Sequence, residues 1–128
     1  MAAIICDIDD TLLRNGVQPI RKTIDWLNDR YGKYTIILVT GRPSSQRDAT
    51  VRALRNAGVR YNRLLMNPGS TADTANYKFE VGKRLKSQMT VSLAIDNNQT
   101  MRAAYQRAGI KSIHPSDLTD AMLKYSII

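Results

Sequence analysis

Short apolar runs alternate with helical patterns along the whole chain. Continuous apolar runs of about five residues, bounded by polar positions, are typical of strands that are buried on both faces of a parallel sheet. The two clearest runs are Ala2–Cys6 and Thr35–Val39, and weaker ones are Arg63–Met66, Val91–Ile95 and Ile110–Ile113. The pattern therefore predicts five strands.

Helical patterns separate these runs. They predict helices at Arg21–Tyr31, Ser45–Ala57, Tyr77–Leu85 and Asn98–Ala108, and a short last helix after Ser116 and Asp117. In the first helix, apolar residues recur at the spacing of a core-facing stripe: Ile20, Ile24, Leu27 and Tyr31. The alternation predicts an α/β fold, a Rossmann-like three-layer α/β/α sandwich with a five-stranded parallel sheet.

Length and composition favour one soluble domain. A chain of 128 residues is near the usual domain size, so we expect a single domain over residues 1–128. No stretch approaches the roughly 18 consecutive apolar residues of a membrane span, and no basic region precedes the first apolar run. We therefore expect a cytoplasmic protein without a membrane segment, in which Cys6 is a small buried hydrophobe.

Polar residues follow the predicted strands where each strand ends. Asp7, Asp9 and Asp10 follow the first strand, and Asp96 follows the fourth. Ligands of open α/β sheets bind beyond the carboxyl ends of the strands, and three neighbouring carboxylates repel one another unless a cation is present. Carboxylate and carbonyl oxygens suit Mg²⁺, which predicts a magnesium site formed by Asp7, Asp96 and the carbonyl of Asp9.

These residues resemble the motifs of haloacid dehalogenase (HAD) phosphotransferases. Asp7-Ile8-Asp9-Asp10-Thr11 resembles the first motif, D-x-D-x-T, and Thr40 resembles the Ser or Thr of the second. Lys78 or Lys83 resembles the lysine of the third motif, and Asp96 resembles the acid of the fourth. In outline the resemblance covers residues 3–98 and implies a magnesium-dependent phosphatase.

The resemblance implies a mechanism with two steps. Asp7 would attack phosphorus to give an aspartyl-phosphate, while Mg²⁺ held by Asp7, Asp9 and Asp96 offsets charge repulsion. Asp9 would protonate the leaving group and then accept a proton from the hydrolytic water. The catalytic set is therefore Asp7 and Asp9 with Thr40 and Lys78, and Lys83 is the alternative to Lys78.

The same resemblance implies how the phosphate is bound. Thr40 and the backbone N–H of Gly41 would hold phosphate oxygens, and the guanidinium of Arg42 would bind the scissile phosphate. We also expect Thr11 to contribute to substrate binding, although a Thr in this position equally suits a helix cap.

Two positions depart from the family pattern. Asn97 stands where many members have a second acid, and the loss of one charge would weaken Mg²⁺ binding. Gln18 stands near the place of a further arginine, for which Arg14 or Arg21 could substitute.

Spacing and charge predict the substrate. Only 28 residues separate Thr11 from Thr40, which leaves room for a flap and one helix but for no large cap. The chain has 19 Lys and Arg against 11 Asp and Glu. The resulting net charge of +8 favours binding to polyanionic partners such as nucleic acid. The segments Thr40–Arg42, Tyr61–Met66 and Leu93–Asp96 also resemble the 3′-phosphatase domain of bacteriophage-type polynucleotide kinase/phosphatases.

The leading hypothesis is therefore a polynucleotide 3′-phosphatase that acts on phosphorylated DNA or RNA ends. A second hypothesis keeps the enzyme but gives it a nucleotide or a sugar phosphate as substrate. A third is a non-catalytic nucleic-acid-binding module on a phosphatase scaffold, against which the intact Asp7 and Asp9 argue.

Overall fold

The structure is a computed structural model that describes residues 1–69 and 73–119. Its strands are β1 (Ala3–Cys6), β2 (Leu13–Arg14), β3 (Gln18–Pro19), β4 (Thr35–Pro43), β5 (Arg63–Asn67), β6 (Val91–Ile95) and β7 (Ser112–Ile113). Its α-helices are α1 (Arg21–Asn28), α2 (Arg47–Asn56), α3 (Thr74–Gln88) and α4 (Gln99–Arg107). Short 3₁₀ helices occupy Ser44–Gln46 and Pro115–Asp117, and the last helix predicted after Asp117 falls outside the described residues.

Five of the strands form one parallel sheet in the order β5-β4-β1-β6-β7. The central strand β1 pairs with β4 on one side, where Cys6 faces Leu38, and with β6 on the other, where Cys6 faces Ile95. The predicted five-stranded parallel α/β fold is confirmed. Because these three strands are adjacent and parallel, the residues that follow them meet at one edge of the sheet.

The two faces of the sheet are covered by different helices. Ile4 and Ile36 belong to a cluster with side chains of α1 and α2, whereas Ile5 and Ile37 belong to a cluster with side chains of α3 and α4. Successive residues of a strand point to opposite faces, so a strand covered on both sides must be apolar throughout. This explains why the strands appear in the sequence as continuous apolar runs.

The helix boundaries differ from the predicted ones. Helix α1 ends at Asn28, and Tyr31 packs against the core from a turn whose Gly32 has a φ of 90°. Helix α3 is longer than predicted and begins at Thr74, so its first turn reaches the end of β4. Trp26 of α1 is buried in the core, and its Nε1 donates to the carbonyl of Thr119.

The segment from residue 7 to residue 34, all of which is described, contains the hairpin β2–β3 and α1 as its regular elements. This agrees with the prediction that no large cap is inserted there. The hairpin turns through Asn15 and Gly16, which both have positive φ values, of 52° and 80°. No helix in the described part of the chain combines the length and the apolar character that a membrane crossing requires.

The end of β4 and the start of α3 approach each other most closely at Gly41. A Cβ atom on Gly41 would lie 2.5 Å from Cγ2 and 2.7 Å from Oγ1 of Thr74. A threonine fills two of its three staggered side-chain positions, so no rotamer of Thr74 empties both of these places. Any larger residue at position 41 must therefore displace α3 from the sheet.

We predict that Gly41→Ala lowers the free energy of unfolding by about 1–3 kcal/mol, the usual cost of overpacking. Urea unfolding measures the change. Thr74→Ala should recover part of it in the double variant, and Gly69→Ala, whose Cβ would meet nothing closer than 3.8 Å, is the control glycine substitution. Equal stability of wild type and Gly41→Ala would contradict the steric argument.

Candidate active site

A tight turn after β1 directs Asp7 and Asp9 to the carboxyl edge of the sheet. The carbonyl of Ile8 accepts hydrogen bonds from the N–H groups of Thr11, Leu12 and Leu13, at 3.2, 2.9 and 3.1 Å. Ile8 and Leu12 are fully buried and anchor the turn in the core. The N–H of Asp7 still bonds the carbonyl of Ile95 in β6, at 2.9 Å, so Asp7 keeps the position of a strand residue.

The Lys78 ammonium joins Asp7 and Asp96. Its Nζ lies 2.9 Å from Oδ1 of Asp7 and 2.5 Å from Oδ2 of Asp96. All three residues are buried, and Asp96 is fully inaccessible. Lys83 is exposed instead, with its ammonium 5.4 Å from the centre of the Phe79 ring. Of the two lysines considered from the sequence, the structure places Lys78 beside the carboxylates.

Burial and charge shift the pKa values of this group. Burial raises the pKa of Asp7 to about 6, with a further increase from Asp96, against the lowering effect of Lys78. Burial lowers the pKa of Lys78, but the two carboxylates raise it more, so that the pKa is raised overall. Lys78 therefore stays protonated at neutral pH, and Asp7 is the group that can exchange a proton there.

Thr11 lies beneath Asp7 and not at the surface of the pocket. Its hydroxyl donates to Oδ2 of Asp7 at 3.0 Å and accepts the backbone N–H of Asn97 at 3.2 Å. Thr11 is fully buried and is not among the residues that line the pocket described below, and its predicted contribution to substrate binding stays a prediction. Its hydroxyl fixes the Asp7 carboxylate against the loop after β6.

Arg42 holds the side chain of Asp9. Its Nε and Nη2 donate to the two carboxylate oxygens of Asp9, at 2.9 and 2.6 Å. The same guanidinium donates to Oγ1 of Thr50 at 3.1 Å and, at 3.4 Å, to the carbonyl of Gly16 in the hairpin. The residue predicted to bind phosphate is thus paired with the residue predicted to be the general acid.

These groups line one open pocket of about 710 Å³. The predicted residues that line it are Asp7, Asp9, Thr40, Gly41, Arg42, Lys78 and Asp96, and its wall also includes Gly16, Val17, Ala49, Thr74, Asn97 and Met101. Apart from Asn97, which the sequence marks as the place of a second acid, the residues of the second group come from the hairpin and from three helices, so no local sequence pattern points to them. Val17 is 64% exposed and stands at the rim of the pocket.

Arg14 and Arg21, considered as substitutes for an arginine at position 18, do not line the pocket. Arg21 pairs with Asp25 and donates to the carbonyl of Ala57, on the side of α1. Nδ1 of His114 accepts the N–H of Ser116, which gives this histidine a capping role.

The chemistry of the oxygen atoms near Asp7 fits Mg²⁺. In the part of the chain that is described, His, Cys, Asp and Glu side chains alone form no group of three that could hold a metal. Oδ2 of Asp7 and the carbonyl oxygen of Asp9, however, both accept from the side-chain nitrogen of Asn97, at 3.0 and 3.1 Å, so these two oxygens face the same place. Mg²⁺ takes few protein ligands and keeps several waters, so such a set of hard oxygens is sufficient.

Asp96 was predicted as a metal ligand as well. Its Oδ1 accepts the backbone N–H of Asn98 at 3.0 Å, and its Oδ2 is paired with Lys78. Both oxygens therefore have a hydrogen-bond partner in this structure, and the role of Asp96 toward a metal stays a prediction.

Comparison with models of protein families assigns most of the chain to one family. The family described as PITM 1-3, LNS2 domain, matches residues 4–114. The chain belongs to this LNS2 domain family. The LNS2 domain is HAD-like, which confirms the resemblance drawn from the D-x-D-x-T motif and the ordered residues that follow it. The chain has no significant match among curated protein sequences.

Two solved structures are similar to this LNS2-type domain. A chain in the structure of the Pnkp1/Rnl/Hen1 RNA repair complex is 25% identical over 88% of this chain, with a TM-score of 0.69. A chain in a second structure of the Pnkp1/Rnl/Hen1 complex is 22% identical over 88%, with a TM-score of 0.73. The domain spans only 42% and 45% of those two chains.

We predict that the stability of the metal-free domain depends on the ionisation of Asp7. A carboxyl with a raised pKa in the folded state binds its proton more tightly there than in the unfolded chain. Its contribution to stability is therefore present at low pH and is lost as the pH rises from about 4 to about 6, given a pKa raised from 3.8 to about 6. The loss should be on the order of 2–3 kcal/mol.

The measurement is urea unfolding in the presence of a chelator, from pH 4 to pH 7, for wild type and Asp7→Asn. The stability of wild type relative to the variant should fall across this interval. Parallel curves for the two proteins would show that Asp7 does not titrate there.

We also predict that Lys78→Met destabilises the domain by about 3–5 kcal/mol at neutral pH, because it leaves two buried carboxylates without their cation. Acidification should restore part of the loss by protonating them. Lys83→Met, an exposed lysine of the same helix, should change the stability by less than about 0.5 kcal/mol. If thermal or urea unfolding showed that both variants lose similar amounts of stability, the ammonium of Lys78 would not be needed to neutralise the buried carboxylates.

Proposed function

We propose that this domain is a magnesium-dependent phosphatase that removes 3′-phosphates from nucleic acids through an aspartyl-phosphate. The observation that carries the proposal is the position of Asp7, whose buried carboxylate is held by Lys78 and Thr11 at the base of an open pocket. The HAD-like phosphatase fold supports phosphoester hydrolysis at this site.

In the first step, an oxygen of the Asp7 carboxylate attacks phosphorus in line with the bond to the leaving oxygen, and that bond breaks. The positive charge of the Lys78 ammonium offsets the negative charge of the Asp7 carboxylate and so reduces its repulsion of the approaching phosphate. A bound Mg²⁺, held by Asp7, the carbonyl of Asp9 and, as predicted, Asp96, would offset the repulsion between carboxylate and phosphate. Asp96 also fixes the Lys78 ammonium, with which it is paired at 2.5 Å.

Once it is released from Arg42, the Asp9 carboxylate takes up a proton from solvent and gives it to the leaving oxygen. In the second step it accepts a proton from the water that cleaves the aspartyl-phosphate. The pair with Arg42 has to open before either transfer, because both oxygens of Asp9 are hydrogen-bonded to the guanidinium. An incoming phosphate offers Arg42 a second bidentate acceptor. Substrate binding thereby releases Asp9 for catalysis.

Phosphate oxygens are held by the end of β4. The Thr40 hydroxyl accepts the N–H of Arg42 at 3.1 Å, which orients its own proton for donation. The Thr40 hydroxyl, the N–H of Gly41 and the Arg42 side chain therefore offer the phosphate oxygens hydrogen-bond donors from three consecutive residues at the end of β4.

The surface around the pocket supports a nucleic-acid substrate. Helix α2 contributes Ala49 to the pocket wall and carries three exposed arginines, Arg47, Arg52 and Arg55. The three arginines line a separate pocket together with Asp48 and Val51, so a polyanion bound at Asp7 would reach them only by extending along α2. Such a substrate agrees with the net charge of +8. The similarity to a chain of an RNA repair complex points to the same class of substrate.

A second candidate is a phosphatase of nucleotides or sugar phosphates. The pocket of about 710 Å³ is within the range of about 300–1,000 Å³ that small ligands occupy, which favours this alternative.

The test is phosphate release from a 3′-phosphorylated oligonucleotide, a 5′-phosphorylated oligonucleotide, mononucleotides and sugar phosphates. We predict Mg²⁺-dependent release that is fastest with the 3′-phosphorylated oligonucleotide. Both oligonucleotides, unlike the small substrates, can extend beyond the pocket, and the resemblance to a 3′-phosphatase domain favours the 3′ end over the 5′ end. Asp7→Asn should abolish the release because it removes the nucleophile. Asp29→Asn, an exposed carboxylate at the end of α1, is the matched control and should retain the activity.

Faster turnover of mononucleotides or sugar phosphates would favour the second candidate. Salt-sensitive oligonucleotide binding without turnover would identify a non-catalytic binding module. Release that survives Asp7→Asn would rule out the aspartyl-phosphate route.

A further inference from the structure

Thr50 is a polar residue on the buried face of α2. Its side chain is fully buried, and the other buried residues of the helix are Ala53 and Leu54. A valine has nearly the same shape and would pack there without a hydroxyl, so packing alone does not require a threonine. A buried hydroxyl costs free energy unless it forms a hydrogen bond. The partner of this hydroxyl therefore indicates its role.

That partner is the guanidinium of Arg42. Its Nη1 donates to Oγ1 of Thr50 at 3.1 Å, whereas its Nε and Nη2 donate to the carboxylate of Asp9 at 2.9 and 2.6 Å. In the planar guanidinium, Nη1 is the nitrogen opposite the edge formed by Nε and Nη2. Thr50 thus holds the guanidinium from behind, while the opposite edge pairs with Asp9.

The two contacts of Arg42 differ in their exposure to solvent. The side chain of Arg42 is 14% exposed and that of Asp9 is 47% exposed, whereas Thr50 is inaccessible. An exposed ion pair is screened by water and competes with other ions, but water cannot reach a buried acceptor to replace it. The pair with Asp9 is therefore open to exchange for another anion, and the bond to Thr50 is not.

The position of the Thr50 hydroxyl is fixed relative to the end of β4. Thr50 follows Arg42 by eight positions and lies in α2, the first α-helix after that strand. The helix is anchored through Leu54, which belongs to the same core cluster as Leu38 of β4. An acceptor on a packed helix orients a side chain more precisely than one on a loop. The hydroxyl can therefore define where the Arg42 guanidinium sits.

We propose that Thr50 is a positioning residue for Arg42, an inference that rests on the proposed function. Oγ1 of Thr50 is the pivot of the guanidinium. Nη1 keeps its bond to this oxygen while the edge formed by Nε and Nη2 turns from Asp9 to two oxygens of the phosphate. The turn also withdraws Nη2 from the carbonyl of Gly16, to which it donates at 3.4 Å. Thr50 thereby keeps Arg42 in the pocket while Asp9 is released.

Three variants separate the hydroxyl from the packing. Thr50→Val removes the hydroxyl with little change in shape, and Thr50→Ser keeps it. Thr23→Val is the matched control, because Thr23 is a threonine of α1 that is 2% exposed and is not among the residues that line the pocket. The Nε–H resonance of Arg42 is assigned by its absence from Arg42→Lys. It is followed by NMR without ligand and during titration with inorganic phosphate in the presence of Mg²⁺.

Without phosphate, the Nε–H of Arg42 should exchange with solvent at least about fivefold faster in Thr50→Val than in wild type, because the guanidinium has lost its buried acceptor. Phosphate should bind to this variant about five- to tenfold more weakly, as expected for one lost hydrogen bond. Thr50→Ser and Thr23→Val should both stay within about twofold of wild type in the two measurements, since each retains the Thr50 contact or its hydroxyl.

Turnover of a 3′-phosphorylated oligonucleotide gives a further readout. The bond to Thr50 is kept in the bound substrate and in the transition state alike, so KM should rise about five- to tenfold in Thr50→Val while kcat changes by less than about twofold. Loss of packing alone would not be repaired by Thr50→Ser, which has the smaller side chain.

Equal phosphate affinity of wild type and Thr50→Val, or equal losses in Thr50→Val and Thr23→Val, would overturn the proposal. So would a wild-type protein that binds no phosphate. A protein that shows the expected exchange and phosphate binding but hydrolyses no phosphoester would count against the phosphatase and would support the role of Thr50.

Discussion

The buried contact of Lys78 with Asp7 and Asp96 is the interaction on which the rest of the site depends. It brings together the ends of two adjacent strands and a helix that is distant in the sequence, and the three side chains are buried enough that water screens their charges little. A buried ion pair of this kind adds little net stability compared with apolar packing, but it is costly to break from one side. The fold therefore keeps α3 in one position relative to β1 and β6. The close approach of Gly41 and Thr74 fixes the same helix sterically, at its first turn.

Much of the fold and part of the site could be predicted from the sequence because both depend on local patterns. Strands that are covered on both faces must be continuously apolar, so β1, β4 and β6 are visible as runs, and Asp7, Thr40 and Asp96 are visible as the polar residues that follow them. The strand β6 has the predicted bounds, Val91–Ile95. The ends of α1 and α3 could not be predicted in the same way. They depend on a left-handed glycine in one case and on contact with the end of β4 in the other.

The side-chain partners at the site were beyond prediction for a related reason. Arg42 and Asp9 are 33 residues apart, and their bidentate pair depends on how two loops meet in the folded chain. Thr11 belongs to the first motif but is buried beneath Asp7, where its hydroxyl joins the Asp7 carboxylate to the backbone of Asn97. Asn97 was noticed in the sequence as a missing charge. The structure shows that its amide lies against Oδ2 of Asp7 and the carbonyl of Asp9, which belong to two of the predicted metal ligands.

The contact between Arg42 and the carbonyl of Gly16 has a consequence for access to the pocket. The hairpin β2–β3 overhangs the pocket, and this hydrogen bond links its tip to the guanidinium. If a phosphate draws the guanidinium away from Asp9, the tip of the hairpin loses its anchor at the same moment. The filling of the pocket and the contact between the hairpin tip and Arg42 would then change together, in a domain whose residues 7–34 contain no large cap.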